Sequence, residues 1–203
     1  MISIYQLKPS FQKILRPLTN KLATNGMTAN QVTLFTMIMS IITGLLLYLF
    51  NEHIWIYFYI PIFLFIRMAL NAIDGMLAKE HNMKSPLGNM LNELGDVISD
   101  SAIYLAFIVV TGFQPFVIVL VVLASIISEM AGVLGKSIGA SRRYDGPMGK
   151  SDRAFIFSVI SLLLGLQVPI FPFVNYVLLI VASLILLNTY IRVKHAVAEV
   201  TNL

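Results

Sequence analysis

Asn71, Asp74, Asn92, Asp96 and Asp100 fall within one stretch, NAIDGMLAKEHNMKSPLGNMLNELGDVISD at 71–100, flanked by runs of Leu, Ile, Val and Phe. Asn71, Asp74 and Ala78 are spaced i, i+3, i+7 and share one helix face. Gly88, Asn92, Asp96 and Asp100 are spaced i, i+4, i+8, i+12 and share another. A turn around Ser85-Pro86-Leu87 lets the two faces converge. Carboxylates beside a bilayer are costly, and crowded ones repel or take up protons. A hard divalent cation removes both penalties. Oxygen-only ligands, Asp and Asn without His or Cys, suit Mg²⁺ or Mn²⁺. Mg²⁺ held this way is usually shared with the phosphates of a substrate. Gly75 and Ala78 leave room for a ligand against the backbone, and Lys79 offers charge to a phosphate. The plainer alternative is a pair of solvated polar helix ends. Two matching helical phases in so apolar a chain favour a site.

The elements that must position these residues are membrane spans. The 203-residue chain is 58% hydrophobic and only 12% charged, against about 25% charged in ordinary soluble domains. Its apolar residues come in blocks without polar faces: 32–50, 54–70, 102–112, 116–134, 155–167 and 174–191. A span takes roughly 20 residues. The third block reaches that length only with its polar N-terminal turns, and the fifth only with 151–154. The expected fold is an all-α integral membrane protein of six transmembrane helices. It forms one domain over 1–203: a juxtamembrane segment at 1–31, the bundle at 32–191 and a tail at 192–203. Phe11, Ile14, Leu15, Leu18 and Leu22 recur at helical spacing among basic residues, which predicts an amphipathic helix on the membrane surface.

The links between blocks 1 and 2, 3 and 4, and 5 and 6 contain no Lys or Arg; all fourteen lie elsewhere. The positive-inside rule then puts both termini and both longer connections in the cytoplasm. The expected location is the bacterial inner membrane, with the site facing the cytoplasm and anionic lipid as a partner. Nothing predicts nucleic-acid binding, since no basic stripe is interleaved with aromatic residues. Arg67 and Glu129 lie inside spans and are functional candidates that could pair. Ser151 is the expected cap of the fifth span.

The opening stretch resembles the signature of the CDP-alcohol phosphotransferases, D-x2-D-G-x2-A-R-x8-G-x3-D-x3-D. Asn71, Asp74, Gly75, Ala78, Lys79, Gly88, Asn92 and Asp96 match its spacing throughout. The segment GMTANQVT at 26–33 is similar to the family's T-P-N-x-x-T element, with Ala29 in place of Pro. Three departures stand out: amides at Asn71 and Asn92 replace two carboxylates, and Lys79 replaces Arg.

The resemblance implies that Asn71, Asp74, Asn92 and Asp96 hold Mg²⁺ or Mn²⁺, with Asp100 or Glu93 restoring lost charge; Asp100, one turn beyond Asp96, is the better candidate. It implies that Asp96 is the general base. Ala29, Asn30, Gln31, Val32, Gly75, Ala78, Lys79 and Ser85 would contact the nucleotide of a CDP-linked lipid such as CDP-diacylglycerol. Thr28 and Asn30 read equally well as helix caps, and Gly75 as a packing residue. The acceptor would be a small alcohol, and a phosphorylated one would meet Arg142, Arg143, Lys150 and Arg153. An equal alternative makes those cations a positive-inside loop on anionic headgroups. The resemblance also implies a homodimer. Three functions remain: a phosphatidyltransferase releasing CMP, a non-catalytic CDP-lipid-binding relative, and a small transporter or scaffold.

Overall fold

The computed structural model describes residues 8–201. The first seven residues of the expected juxtamembrane segment, and 202–203 of the tail, lie outside them. Seven α-helices run through the described chain: α1 Lys8–Thr24, α2 Ala29–Phe50, α3 Ile54–Glu80, α4 Pro86–Leu105, α5 Pro115–Leu134, α6 Lys150–Gly165 and α7 Phe171–Thr201. Short 3-10 turns at Ala106–Val109 and Gly135–Ile138 extend α4 and α5.

Local signals set the helix starts. Thr28 caps α2 by accepting the Gln31 N–H, while the Gln31 side chain accepts the Thr28 N–H at 2.9 Å. Ser85 caps α4 through the Gly88 N–H, with Pro86 in the first turn. The expected cap at Ser151 is corrected: α6 begins at Lys150, and Asp152 accepts the Gly149 N–H at 3.1 Å. An acceptor one residue further on suits the helix dipole better.

Among the described residues four helices are long and apolar enough to cross a bilayer: α2, α3, α5 with its following turn, and α7. The third and fifth expected spans fall short on those terms. Glu93, Asp96 and Asp100 lie on α4, and α6 has 16 residues opening with Lys-Ser-Asp-Arg.

The helices α2 and α4 pack closely, as do α5 with α7 and α3 with α6. A Cβ at Gly44 would overlap the Ala102 carbonyl, so glycine allows α2 to meet α4 backbone to backbone. One large core joins Leu47, Ile60, Ile103, Val121 and Leu178, with Tyr104 stacked on Phe157 at 4.1 Å. Ile62, Phe65, Leu123 and Ile180 point outward, as lipid-facing residues should.

The surface helix has two apolar sides. Leu15 and Leu22 pack on a small cluster under α2 and α3, while Ile14 and Leu18 stay exposed. Arg16 clasps Glu80 at 2.9 and 3.0 Å, and Asn20 bonds His81, tying α1 to the end of α3.

Candidate functional site

The site forms where the end of α3 meets the first half of α4, beside the start of α6. Asp74, on α3, is 4% exposed. Thr33 on α2 donates its hydroxyl to Asp74 Oδ2 at 2.9 Å. Asp74 Oδ1 is buried and has no hydrogen-bond partner among the described residues. A buried anionic oxygen without a donor is costly, so it marks a place where a cation is favourable. Asp96 projects from α4 toward the same end of α3. Its Oδ1 accepts a long hydrogen bond from the Asn71 amide at 3.3 Å, and its Oδ2 meets the Lys150 ammonium at 2.6 Å.

The other signature positions lie along the same two helices. Asn92, one turn before Asp96, is exposed. A Cβ at Gly75 would meet open space, whereas one at Gly88 would strike the Asn30 amide oxygen and the Ser85 hydroxyl. Gly75 therefore borders room for a ligand, while Gly88 permits close contact with α2. Lys79 is exposed at the end of α3. Ala29 and Val32 are buried against Ile73, Met76 and Leu77, with Ala78 packed beside them. Gln31 and Ser85 hold helix caps. Asn30 is the member of the 29–32 segment brought to the signature glycine.

Asp100 is committed to other partners. Arg67 donates to its Oδ1 at 2.5 Å and Arg153 to its Oδ2 at 3.0 Å, so buried guanidiniums occupy both oxygens. Arg67 reaches the Asp96 carbonyl as well, at 3.3 Å. The expected Arg67–Glu129 pairing is thus corrected: Arg67 takes Asp100. Glu129 instead receives Arg153 at 3.1 Å, Arg142 at 3.0 Å and Arg192 at 3.4 Å.

The four cations expected to bind an acceptor are likewise engaged. Arg142 grips both oxygens of Glu93 at 2.9 Å, which also removes Glu93 as a substitute ligand. Burial opposes the Arg142 charge, but Glu93 and Glu129 more than offset it and raise its pKa. Arg143 pairs with Asp145 at 2.6 Å and Glu199 at 2.7 Å. Lys150 is on Asp96, and Arg153 is fully buried between Asp100 and Glu129.

Thr33, Arg192 and the pairing of Asp100 with Arg67 and Arg153 escaped the sequence reading. Thr33 closes the quoted GMTANQVT segment, and Arg192 follows the last apolar block. The rule that intramembrane charges come in opposite pairs flags Arg67 and Glu129 but does not say which partner each takes.

Among the described residues no three His, Cys, Asp or Glu side chains converge on a metal position. The signature positions offer two carboxylates and two amides, all hard oxygen donors. With the bare Asp74 oxygen, it fits a single hard divalent cation better than a densely charged cluster.

A helical bundle with a carboxylate–amide site at one end of its spans defines a class of polytopic membrane proteins. The chain belongs to the CDP-alcohol phosphatidyltransferase family, which it matches over residues 26–198. It is 46% identical over 194 residues to inner membrane protein YnbA of Escherichia coli, covering 94% of each chain. Over 87 residues, 43% of this chain and 44% of the relative, it is 31% identical to an archaetidylinositol phosphate synthase of Aeropyrum pernix. Its fold is like that of the apo phosphatidylinositol phosphate synthase PgsA1 of Mycobacterium tuberculosis, with a TM-score of 0.65 over 91% of this chain and 95% of that one. At 18% identity that likeness concerns the fold. The chain is an integral membrane protein.

Proposed function

We propose that the chain transfers a phosphatidyl group from a CDP-linked lipid, such as CDP-diacylglycerol, to the hydroxyl of a small alcohol, releasing CMP. The reading places six spans in the bacterial inner membrane, with α4 and α6 crossing despite their polar first turns and the site at the cytoplasmic face. The inward bias of Lys and Arg supports this orientation, and the inner-membrane relative supports the location. The observation that carries the reading is the buried Asp74 with one bare oxygen, on the helix whose Asn71 bonds Asp96 of α4.

Asp74, Asp96 and the oxygens of Asn71 and Asn92 would hold Mg²⁺ or Mn²⁺. That ion, when bound, neutralises charge on the pyrophosphate and on departing CMP. Thr33 fixes the Asp74 carboxylate so that the uncovered oxygen stays available. Gly75 leaves room for the nucleotide, and Lys79 and Asn30 lie beside it for polar contact. Asp96 accepts the proton of the acceptor hydroxyl on a lone pair not used by Asn71 or Lys150. The acceptor oxygen then bonds to the lipid-side phosphorus as the bond from that phosphorus to CMP breaks. Lys150 holds Asp96 Oδ2 at 2.6 Å and so orients the carboxylate.

A second reading rests on the two amides: a non-catalytic relative that binds CDP-lipid. Purified protein in nanodiscs, given labelled CDP-diacylglycerol, Mn²⁺ and a panel of alcohols, separates the two. CMP release that disappears in Asp96→Asn supports the transferase. Saturable CDP-lipid binding without release supports the second reading.

A further inference from the structure

We infer that the acceptor is a neutral hydroxyl compound, a polyol without a phosphate, because the cations beside Asp96 are already matched by carboxylates. The inference deepens the transferase reading and rests on it.

Recognition of a phosphorylated alcohol needs cationic donors that a phosphate can reach. Exposed Lys79 on α3 is left to the nucleotide pyrophosphate, and six further cations form ion pairs around Asp96, Asp100, Glu129 and the α5–α6 connection. Arg67 holds Asp100, Arg142 holds Glu93 and Glu129, and Arg143 holds Asp145 and Glu199. Lys150 holds Asp96, Arg153 holds Asp100 and Glu129, and Arg192 lies against Glu129. Four are also out of reach, since the side chains of Arg67, Arg142, Arg153 and Arg192 are 9% exposed or less. To serve a phosphate, such a guanidinium would have to abandon a buried carboxylate. Stranding a buried charge is among the costliest changes a protein can make.

The two more accessible cations do not change the conclusion. Lys150 neutralises the carboxylate that must take the acceptor proton. A phosphate drawing it away would uncover Asp96 beside a dianion and bring like charges together. Arg143 is bound by two carboxylates on the α7 side. Lys136 is exposed in the turn after α5, and that turn packs on α5 and α7 rather than on α4, which carries Asp96. A neutral polyol meets no such conflict. Its extra hydroxyls can share the Glu93 and Asp96 carboxylates as hydrogen-bond donors without breaking an ion pair.

The test uses the full chain in nanodiscs with CDP-diacylglycerol and Mn²⁺. Matched acceptors are compared: glycerol with glycerol 3-phosphate, and inositol with inositol 1-phosphate. A parallel measurement follows thermal stabilisation by inorganic phosphate, which needs no turnover. The expected result is CMP release at least about tenfold faster with a neutral member than with its phosphorylated partner, a difference of one decade in selectivity. Millimolar phosphate is expected to leave the wild-type midpoint unchanged. Glu93→Gln, which removes one of the two carboxylates on Arg142 and leaves Glu129, and Glu199→Gln, which removes one of the two on Arg143 and leaves Asp145, are two partly exposed positions at which the fold should survive. At least one should gain phosphate stabilisation and shift selectivity toward the phosphorylated acceptor. Preference for a phosphorylated acceptor in wild type, saturable phosphate stabilisation of wild type, or no gain in either variant overturns the inference. CMP release with none of the alcohols overturns the transferase reading itself, and this inference with it. That outcome is distinct from release driven by a phosphorylated alcohol.

Discussion

The ammonium of Lys150, the first residue of α6, lies 2.6 Å from Oδ2 of Asp96 on α4. The sequence expectation gave Lys150 to an acceptor phosphate. In the folded chain it supplies positive charge to the signature's last carboxylate, at a site where two other positions carry amides.

Lys150 therefore competes with a divalent ion for Asp96. At this separation the repulsion between an ammonium and a bound cation is worth on the order of 1 kcal/mol or more. Lys150→Met should tighten Mn²⁺ binding by about tenfold, read by titration of the free-ion EPR signal. It should also slow CMP release, because the Asp96 carboxylate loses the contact that orients it. Weaker Mn²⁺ binding in the variant would contradict this account.

The amides at Asn71 and Asn92 set a second expectation. Asn71→Asp and Asn92→Asp each add a unit of negative charge to a site with few carboxylates. Each should tighten divalent binding by about tenfold. An unchanged dissociation constant in both would remove these residues from the ligand set.

Asp100 separates structure from chemistry. Its two oxygens bind the buried guanidiniums of Arg67 and Arg153. Asp100→Asn should cost about 3–5 kcal/mol by leaving those charges unmatched, and lower the thermal midpoint in detergent. Pairing it with Arg67→Met should recover part of that loss. Mn²⁺ affinity of the folded fraction should change little. A lost Mn²⁺ site with an unchanged midpoint would return Asp100 to the metal ligands.

The connection between α5 and α6 carries an acid-sensitive clasp. Burial alone would raise the Asp145 pKa, but Arg143, with His195 at 3.6 Å, holds it below the usual carboxylate value. A value lower in the folded state means this contribution is complete above the unfolded pKa and drains away as pH falls through the folded one. Amide exchange across 141–148, corrected for intrinsic rates, should speed up below the ordinary Asp range. Asp145→Asn should flatten that dependence, and a flat wild-type profile would contradict the clasp.

Much of this site was legible because its logic is local. The 71–96 spacing fixes two helix faces, Thr28 and Ser85 announce helix starts, and the apolar blocks announce the hydrophobic helices. What escaped depends on helices far apart in sequence. Asp100 shares the phase of Asp96, so spacing alone puts both in one site; Arg153, 53 residues away, draws it off. Glu93 looks like a spare ligand until Arg142 arrives from a distant connection. The third and fifth spans were the least secure elements because their charged turns take meaning only from the partners they meet.

The most direct measurement is Mn²⁺ EPR on the purified full-length chain with CDP-diacylglycerol, comparing wild type with Asp74→Asn. One bound Mn²⁺ per chain is predicted, coupled to phosphorus of the pyrophosphate, with both binding and coupling lost in Asp74→Asn. Equal Mn²⁺ affinity in the two proteins, or bound Mn²⁺ without phosphorus coupling, would contradict a cation held by Asp74 against the nucleotide.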